Sequence, residues 1–166
     1  MKVLWLCNIM LPAIAQELEL PYSNREGWLT GIYERICREK KRNGNGMRIE
    51  LGICFPMDEG TEEAMRRQEK KREFRLEESG VFCYGFRENL EVPERYDAGL
   101  EERLKEILED FKPDMVHIFG TEFPHTLAMV RAFGRPERTL VGIQGLCSAC
   151  AEAYMADLPE RVVRRK

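Results

Sequence analysis

The sequence has little histidine, little net charge and no long apolar run. Its 166 residues include only two His, and the formal net charge at pH 7 is -3. Because no excess of Lys and Arg is present to neutralise the phosphates of a duplex, the composition argues against a nucleic-acid partner. No run comes near the roughly 18 consecutive apolar residues that a membrane-spanning helix needs. Peripheral membrane contact stays open.

The amino terminus lacks the length and the cleavage region of a secretory signal peptide. We therefore expect a cytoplasmic protein whose six cysteines are reduced thiols. Cys147 and Cys150 have C-x-x-C spacing, but a structural zinc would need a second pair, and the sequence has none. A thiol or metal protein built on this pair is the least favoured interpretation, and no metal site is predicted.

Three enzyme signatures are also missing. The segment 7–12 reads C-N-I-M-L-P where a dinucleotide fingerprint would follow the first strand, which disfavours an NAD-dependent oxidoreductase. The chain has neither a nucleophile elbow with a Ser, His and Asp pattern nor an H-E-x-x-H motif. The sequence therefore gives no support to a serine hydrolase or a zinc protease.

What the chain does contain is an alternation of apolar runs and helical patterns. Apolar residues make up 43% and charged residues 33%, as in a soluble globular domain. The runs predict strands at 2–7, 47–55, 81–85, 115–119 and 139–144. Helices between them imply right-handed crossovers and an α/β fold: a Rossmann-like, doubly wound parallel sheet in the order 3-2-1-4-5. The charged segment 58–78 is expected to be a solvated helix or a partly ordered excursion.

The most informative segment is 116–125, where a strand runs into a polar turn containing Gly120, Thr121, Glu122 and His125. Open α/β sheets bind ligands at the carboxyl ends of their strands. We therefore assign Glu122 and His125 as candidate catalytic residues and Thr121 as a candidate substrate-binding residue. His117 lies inside the strand and is expected to be mostly buried.

Two further positions belong to the same predicted edge. Gln144 ends the fifth strand, and its amide suits a hydrogen bond with a sugar hydroxyl, so it is a second candidate for substrate binding. Gly27 stands where the first long helix begins, and free N–H groups at a helix start suit a phosphate. A flexible helix start is the alternative for Gly27.

Taken together, these segments resemble the N-terminal half of family 4 glycosyltransferases. The resemblance is carried, in order, by M-K-V-L-W-L at 1–6, E-G-W-L at 26–29, P-D-M-V-H-I-F-G-T-E at 113–122 and I-Q-G-L at 143–146. It implies the GT-B architecture and sugar transfer from a nucleotide-sugar donor to an acceptor. It also implies retention of anomeric configuration, no required cofactor and no required metal.

The resemblance assigns a donor-diphosphate contact to Gly27, although Glu26 stands where the family usually has another glycine. Many members carry a catalytic His at the position of Phe119, so no such imidazole carries over. Glu122 or His125 is expected to serve the acceptor hydroxyl instead.

The expected domain organisation follows from the same resemblance. Residues 1–166 would form the N-terminal, acceptor-side domain, and the donor-binding C-terminal domain, about 150 to 200 residues by ordinary domain size, would be absent. The apolar face left for that domain would favour a homo-oligomer. The alternative is a standalone Rossmann-like module that binds a nucleotide or sugar without catalysis, and the reading frame beyond Lys166 would separate the two.

Overall fold

The computed structural model describes residues 1–22, 27–42, 49–88, 96–143, 145, 149, 150 and 153. The described strands are β1 Lys2–Leu6, β2 Glu50–Met57, β3 Glu73–Arg75, β4 Phe82–Arg87, β5 Met115–Phe119 and β6 Thr139–Gly142. The described helices are α1 Pro12–Glu17, α2 Gly27–Arg42, α3 Glu59–Arg67, α4 Gly99–Phe111 and α5 Pro124–Phe133. A short 3-10 turn, Pro136–Arg138, leads into β6.

The strands form one six-stranded sheet in the order β3-β4-β2-β1-β5-β6. All neighbours are parallel except β3, which pairs antiparallel with β4 at one edge. Without β3, the order is the predicted 3-2-1-4-5 with the first strand in the interior, so both the fold class and the strand order are confirmed. The predicted bounds differ at β2 and β4, each of which begins and ends later in the chain, and at β6, which ends at Gly142.

Side chains alternate between two apolar layers on the two faces of the sheet. In β1, Val3 and Trp5 pack into one layer with α1, α2 and α3, whereas Leu4 and Leu6 pack into the other with α4 and α5. A strand covered on both faces needs apolar residues at every position, which explains the uninterrupted run in β1.

The charged segment 58–78 contains a helix, as one of the two predicted alternatives has it, and also a short strand that was not predicted. Asp58 caps α3 by accepting the backbone N–H of Thr61 at 2.7 Å, and Met65 is buried on one side of the helix. The three-residue strand β3 follows, although its sequence E-F-R gives no strand pattern. Helix α1 is a further element, which lies between β1 and the long helix α2.

Local contacts and backbone conformation mark both ends of α4. Helix α4 begins at Gly99 with Ala98 as its N-cap, and the Asp97 carboxylate, one residue earlier, accepts the N–H of Gly99 at 2.8 Å. Lys112 ends the helix with φ of 53°, a left-handed conformation. In the described part of the chain, no helix is long and apolar enough to cross a membrane. The described cysteines, at 7, 37, 54, 83 and 150, form no disulfide.

Candidate functional site

Polar side chains from three strands meet at the carboxyl edge of the parallel sheet. Asn8 follows β1, Glu88 follows β4 directly, and Glu122 and His125 follow β5. These strand ends lie on one side of the sheet because the strands are parallel. Ligands bind at this edge in open α/β folds.

A continuous chain of hydrogen bonds joins the four side chains. Glu88 Oε2 lies 2.5 Å from His125 Nδ1, and His125 Nε2 lies 2.8 Å from Asn8 Oδ1. Asn8 Nδ2 then donates to Glu122 Oε2 at 2.9 Å. Glu88 Oε1 also accepts the backbone N–H of His125 at 3.1 Å, so this carboxylate holds both the ring and the first turn of α5.

This series of hydrogen bonds runs from the interior of the protein to its surface. His125 has 0% of its surface exposed, the Glu88 side chain 3%, and Asn8 8%. The His125 ring lies between Phe86 and Phe123, with centroid distances of 5.5 Å to each. Glu122 is exposed. The arrangement therefore presents one carboxylate to a ligand and keeps the other three groups inside.

Gly120 makes room for the outer half of this chain. Its φ is +93°, and a Cβ built there would lie 2.1 Å from Glu122 Oε2 and 2.3 Å from Asn8 Nδ2. A side chain at this position would therefore collide with the Asn8–Glu122 contact as well as strain the backbone. Thr126 Oγ1 donates to the Gly120 carbonyl at 3.1 Å and fixes the turn from the other side.

His117 lies apart from these hydrogen-bonded side chains, on the opposite face of β5. It is half-buried, whereas the sequence predicted a mostly buried residue. Its ring centroid lies 4.0 Å from that of Phe119 and 6.4 Å from that of Trp5. Burial lowers the pKa of His117 below its usual value, because the apolar surroundings disfavour the charged ring.

Helix α2 begins beside the end of β5. Gly27 is its first residue, and the ring of Trp28 lies 5.6 Å from that of Phe119, which precedes the turn at Gly120. The start of α2 therefore adjoins the edge that carries Glu122. Thr121 lies exposed in the same turn.

Three of the residues discussed from the sequence fall outside the described residues: Glu26, Gln144 and Cys147. Conversely, sequence reasoning missed Asn8 and Glu88, although each follows a strand at its carboxyl end and that position was the available signal. Among the residues that the structure describes, no group of three or more His, Cys, Asp or Glu side chains is arranged to hold a metal ion.

Comparison with known proteins adds one weak likeness. No family model and no curated protein sequence matches the chain. The chain is similar to the crystal structure of UDP-GlcNAc 2-epimerase from Neisseria meningitidis bound to UDP-GlcNAc, at 20% identity and a TM-score of 0.42. The match covers 99% of this chain and 37% of the epimerase, so the chain spans little more than a third of that protein's length. The fold is assigned from the strand order and the parallel pairing of the sheet.

Proposed function

We propose that the chain is the acceptor-side domain of an enzyme that uses a nucleotide sugar, specifically a retaining glycosyltransferase of GT-B architecture. The observation that carries the proposal is the exposed Glu122 carboxylate, held from behind by Asn8 at the carboxyl edge of a Rossmann-like sheet. The segments that resemble family 4 glycosyltransferases support the same function. The donor-binding domain would be a further part of the protein.

Glu122 has the chemistry to receive an acceptor hydroxyl. Its Oε2 accepts from Asn8 at 2.9 Å, and Oε1 is the oxygen left for a ligand. In the proposed reaction the bond from the anomeric carbon to the nucleoside diphosphate breaks, and the acceptor oxygen bonds to that carbon on the same face, as retention of configuration requires. The diphosphate leaves with the electron pair, and the hydroxyl proton passes to Glu122 Oε1.

The donor side of the site is assigned to the start of α2. The 16-residue helix α2 begins at Gly27 with N–H groups that have no partner within the helix, and its dipole is positive at that end. A diphosphate placed there would lie near the turn that carries Thr121 and Glu122, because Trp28 packs on Phe119. Gln144, predicted from the sequence to end the fifth strand, is proposed to bind a sugar hydroxyl.

A panel of nucleotide sugars tests this function. Release of nucleoside diphosphate is measured for residues 1–166 and for the product of the complete reading frame, with candidate acceptors present. We expect turnover of at least one donor by the complete product and none by residues 1–166, because transfer needs donor and acceptor held together in a closed cleft. Sustained turnover by residues 1–166 alone would overturn the division into two domains. A complete product that is inactive on every donor would favour the binding module.

A further inference from the structure

The orientation of the Asn8 amide is determined by its two neighbours. Its Nδ2 lies 2.9 Å from a Glu122 carboxylate oxygen, and its Oδ1 lies 2.8 Å from His125 Nε2. The flipped amide would bring two acceptor oxygens, Asn8 Oδ1 and Glu122 Oε2, into contact with no hydrogen between them. The amide group therefore donates to Glu122 and accepts from His125.

This orientation determines the hydrogens on His125. Since Asn8 Oδ1 is an acceptor, Nε2 must carry a hydrogen. Nδ1 faces Glu88 Oε2 at 2.5 Å, and the other oxygen of that carboxylate already accepts a backbone N–H. Charge-assisted hydrogen bonds of this kind stabilise an ionised carboxylate, which leaves the second hydrogen on Nδ1.

A charge on the buried His125 ring needs a counter-charge beside it. The His125 and Glu88 side chains are 0% and 3% exposed, and Phe86 and Phe123 flank the ring. A buried charge needs a partner of opposite sign with good hydrogen-bond geometry. Glu88 supplies that partner, so the pair as a whole is neutral.

We propose that His125 carries a hydrogen on both ring nitrogens and acts as a positioning residue, which orients Asn8 so that Glu122 presents Oε1 to the substrate. His125 does not touch the substrate itself, because no part of it reaches the surface. The role given to Glu122 rests on the proposed function, whereas the hydrogens on His125 do not.

Nitrogen-15 NMR of the 166-residue chain tests the hydrogens directly. The chain has two His, so His117 provides an internal reference in the same spectrum. We expect both His125 nitrogens to show protonated-type shifts with slowly exchanging N–H signals at neutral pH. The spectrum of a neutral tautomer, with one nitrogen lacking its hydrogen, would overturn the proposal.

Two variants then separate the parts of the proposal. Glu88→Gln is expected to remove one hydrogen from His125, because the counter-charge is lost, whereas Glu109→Gln on the exposed side of α4 leaves both. An unchanged His125 spectrum in Glu88→Gln would contradict the ion pair.

Asn8→Asp keeps an acceptor for His125 but turns an oxygen toward Glu122 in place of the amide donor. We expect both His125 N–H signals to persist while kcat of the complete product falls about 10²-fold, as for a misplaced reacting group. An unchanged kcat would overturn the positioning role. The NMR measurements need no substrate. If the complete product turns over no nucleotide sugar, the proposed function is overturned, and the NMR result on His125 still holds. A neutral His125 in an active enzyme would overturn this inference alone.

Discussion

Replacing His125 by Phe should lower the free energy of unfolding by about 3–5 kcal/mol, because the Glu88 carboxylate would stay buried without its partner. The Glu88 side chain is 3% exposed, and its 2.5 Å contact with Nδ1 is lost. The backbone N–H of residue 125 still donates to it at 3.1 Å, which favours the lower part of that range. Since a domain is stabilised by about 5–15 kcal/mol in total, this loss is large.

Equilibrium unfolding in urea measures the change, with the fluorescence of Trp5 and Trp28 as the signal. A Phe ring keeps the contacts with Phe86 and Phe123, so the loss reports the polar contacts rather than an empty cavity. The m value, which is the slope of the free energy of unfolding against urea concentration, should be unchanged if the unfolded state is the same.

The other histidine provides the matched control. His117→Phe makes the same chemical change at a half-buried ring that packs on Trp5 and Phe119, and should cost about 1 kcal/mol or less. The double variant Glu88→Leu/His125→Phe should recover much of the loss, because an apolar pair can replace a buried ion pair at little cost. The double variant also allows the ion pair to be tested if His125→Phe alone is too unstable to purify. Equal losses for the two single His variants would refute the reasoning.

Three further predictions concern the turn, the second histidine and a helix cap. Gly120→Ala should lower stability by about 1–3 kcal/mol through backbone strain and also reduce turnover, because its Cβ would strike the Asn8–Glu122 contact. Gly80→Ala, at φ +65° with nothing within 4 Å, should cost about 1–2 kcal/mol in urea unfolding and leave turnover unchanged. Burial lowers the pKa of His117, so on acidification the unfolded chain binds a proton at this residue before the folded chain does. The free energy of unfolding should therefore fall as the pH drops below about 6.5. His117→Phe should remove that pH dependence, which unfolding measured across pH would show. Asp58→Ala should cost about 0.5–2 kcal/mol. The Thr61 hydroxyl and N–H lower the pKa of Asp58, so its contribution is present above roughly pH 4 and is lost on acidification, which acid unfolding would show.

Much of the fold was predictable because its signals are local. The apolar runs of β1 and β5 mark strands buried on both faces, and the helical patterns between strands fix the crossovers. Strand β3 was not predictable, because Glu73–Arg75 is a strand only through its pairing with β4. Helix α3 was half predicted: its charges indicated a solvated helix, and the Asp58 cap explains where it begins.

Some residues of the candidate site could likewise be predicted from the sequence, and others could not. Glu122 and His125 could be named from the sequence because they follow a strand within a few residues. Asn8 and Glu88 lie 117 and 37 residues from His125 along the chain, and only the sheet order brings them together. Their contact with the ring is a tertiary property, and it moves His125 from a predicted catalytic group to a proposed positioning residue.

The most direct test of the central claim, that this edge presents Glu122 to an acceptor, is the kcat of Glu122→Gln in the complete product. The reference is Glu109→Gln, an equal change on an exposed helix position away from that edge. We predict that Glu122→Gln lowers kcat by about 10²-fold or more, as expected when a group that takes a proton is lost, while Glu109→Gln has wild-type activity. Wild-type kcat in Glu122→Gln would contradict the account.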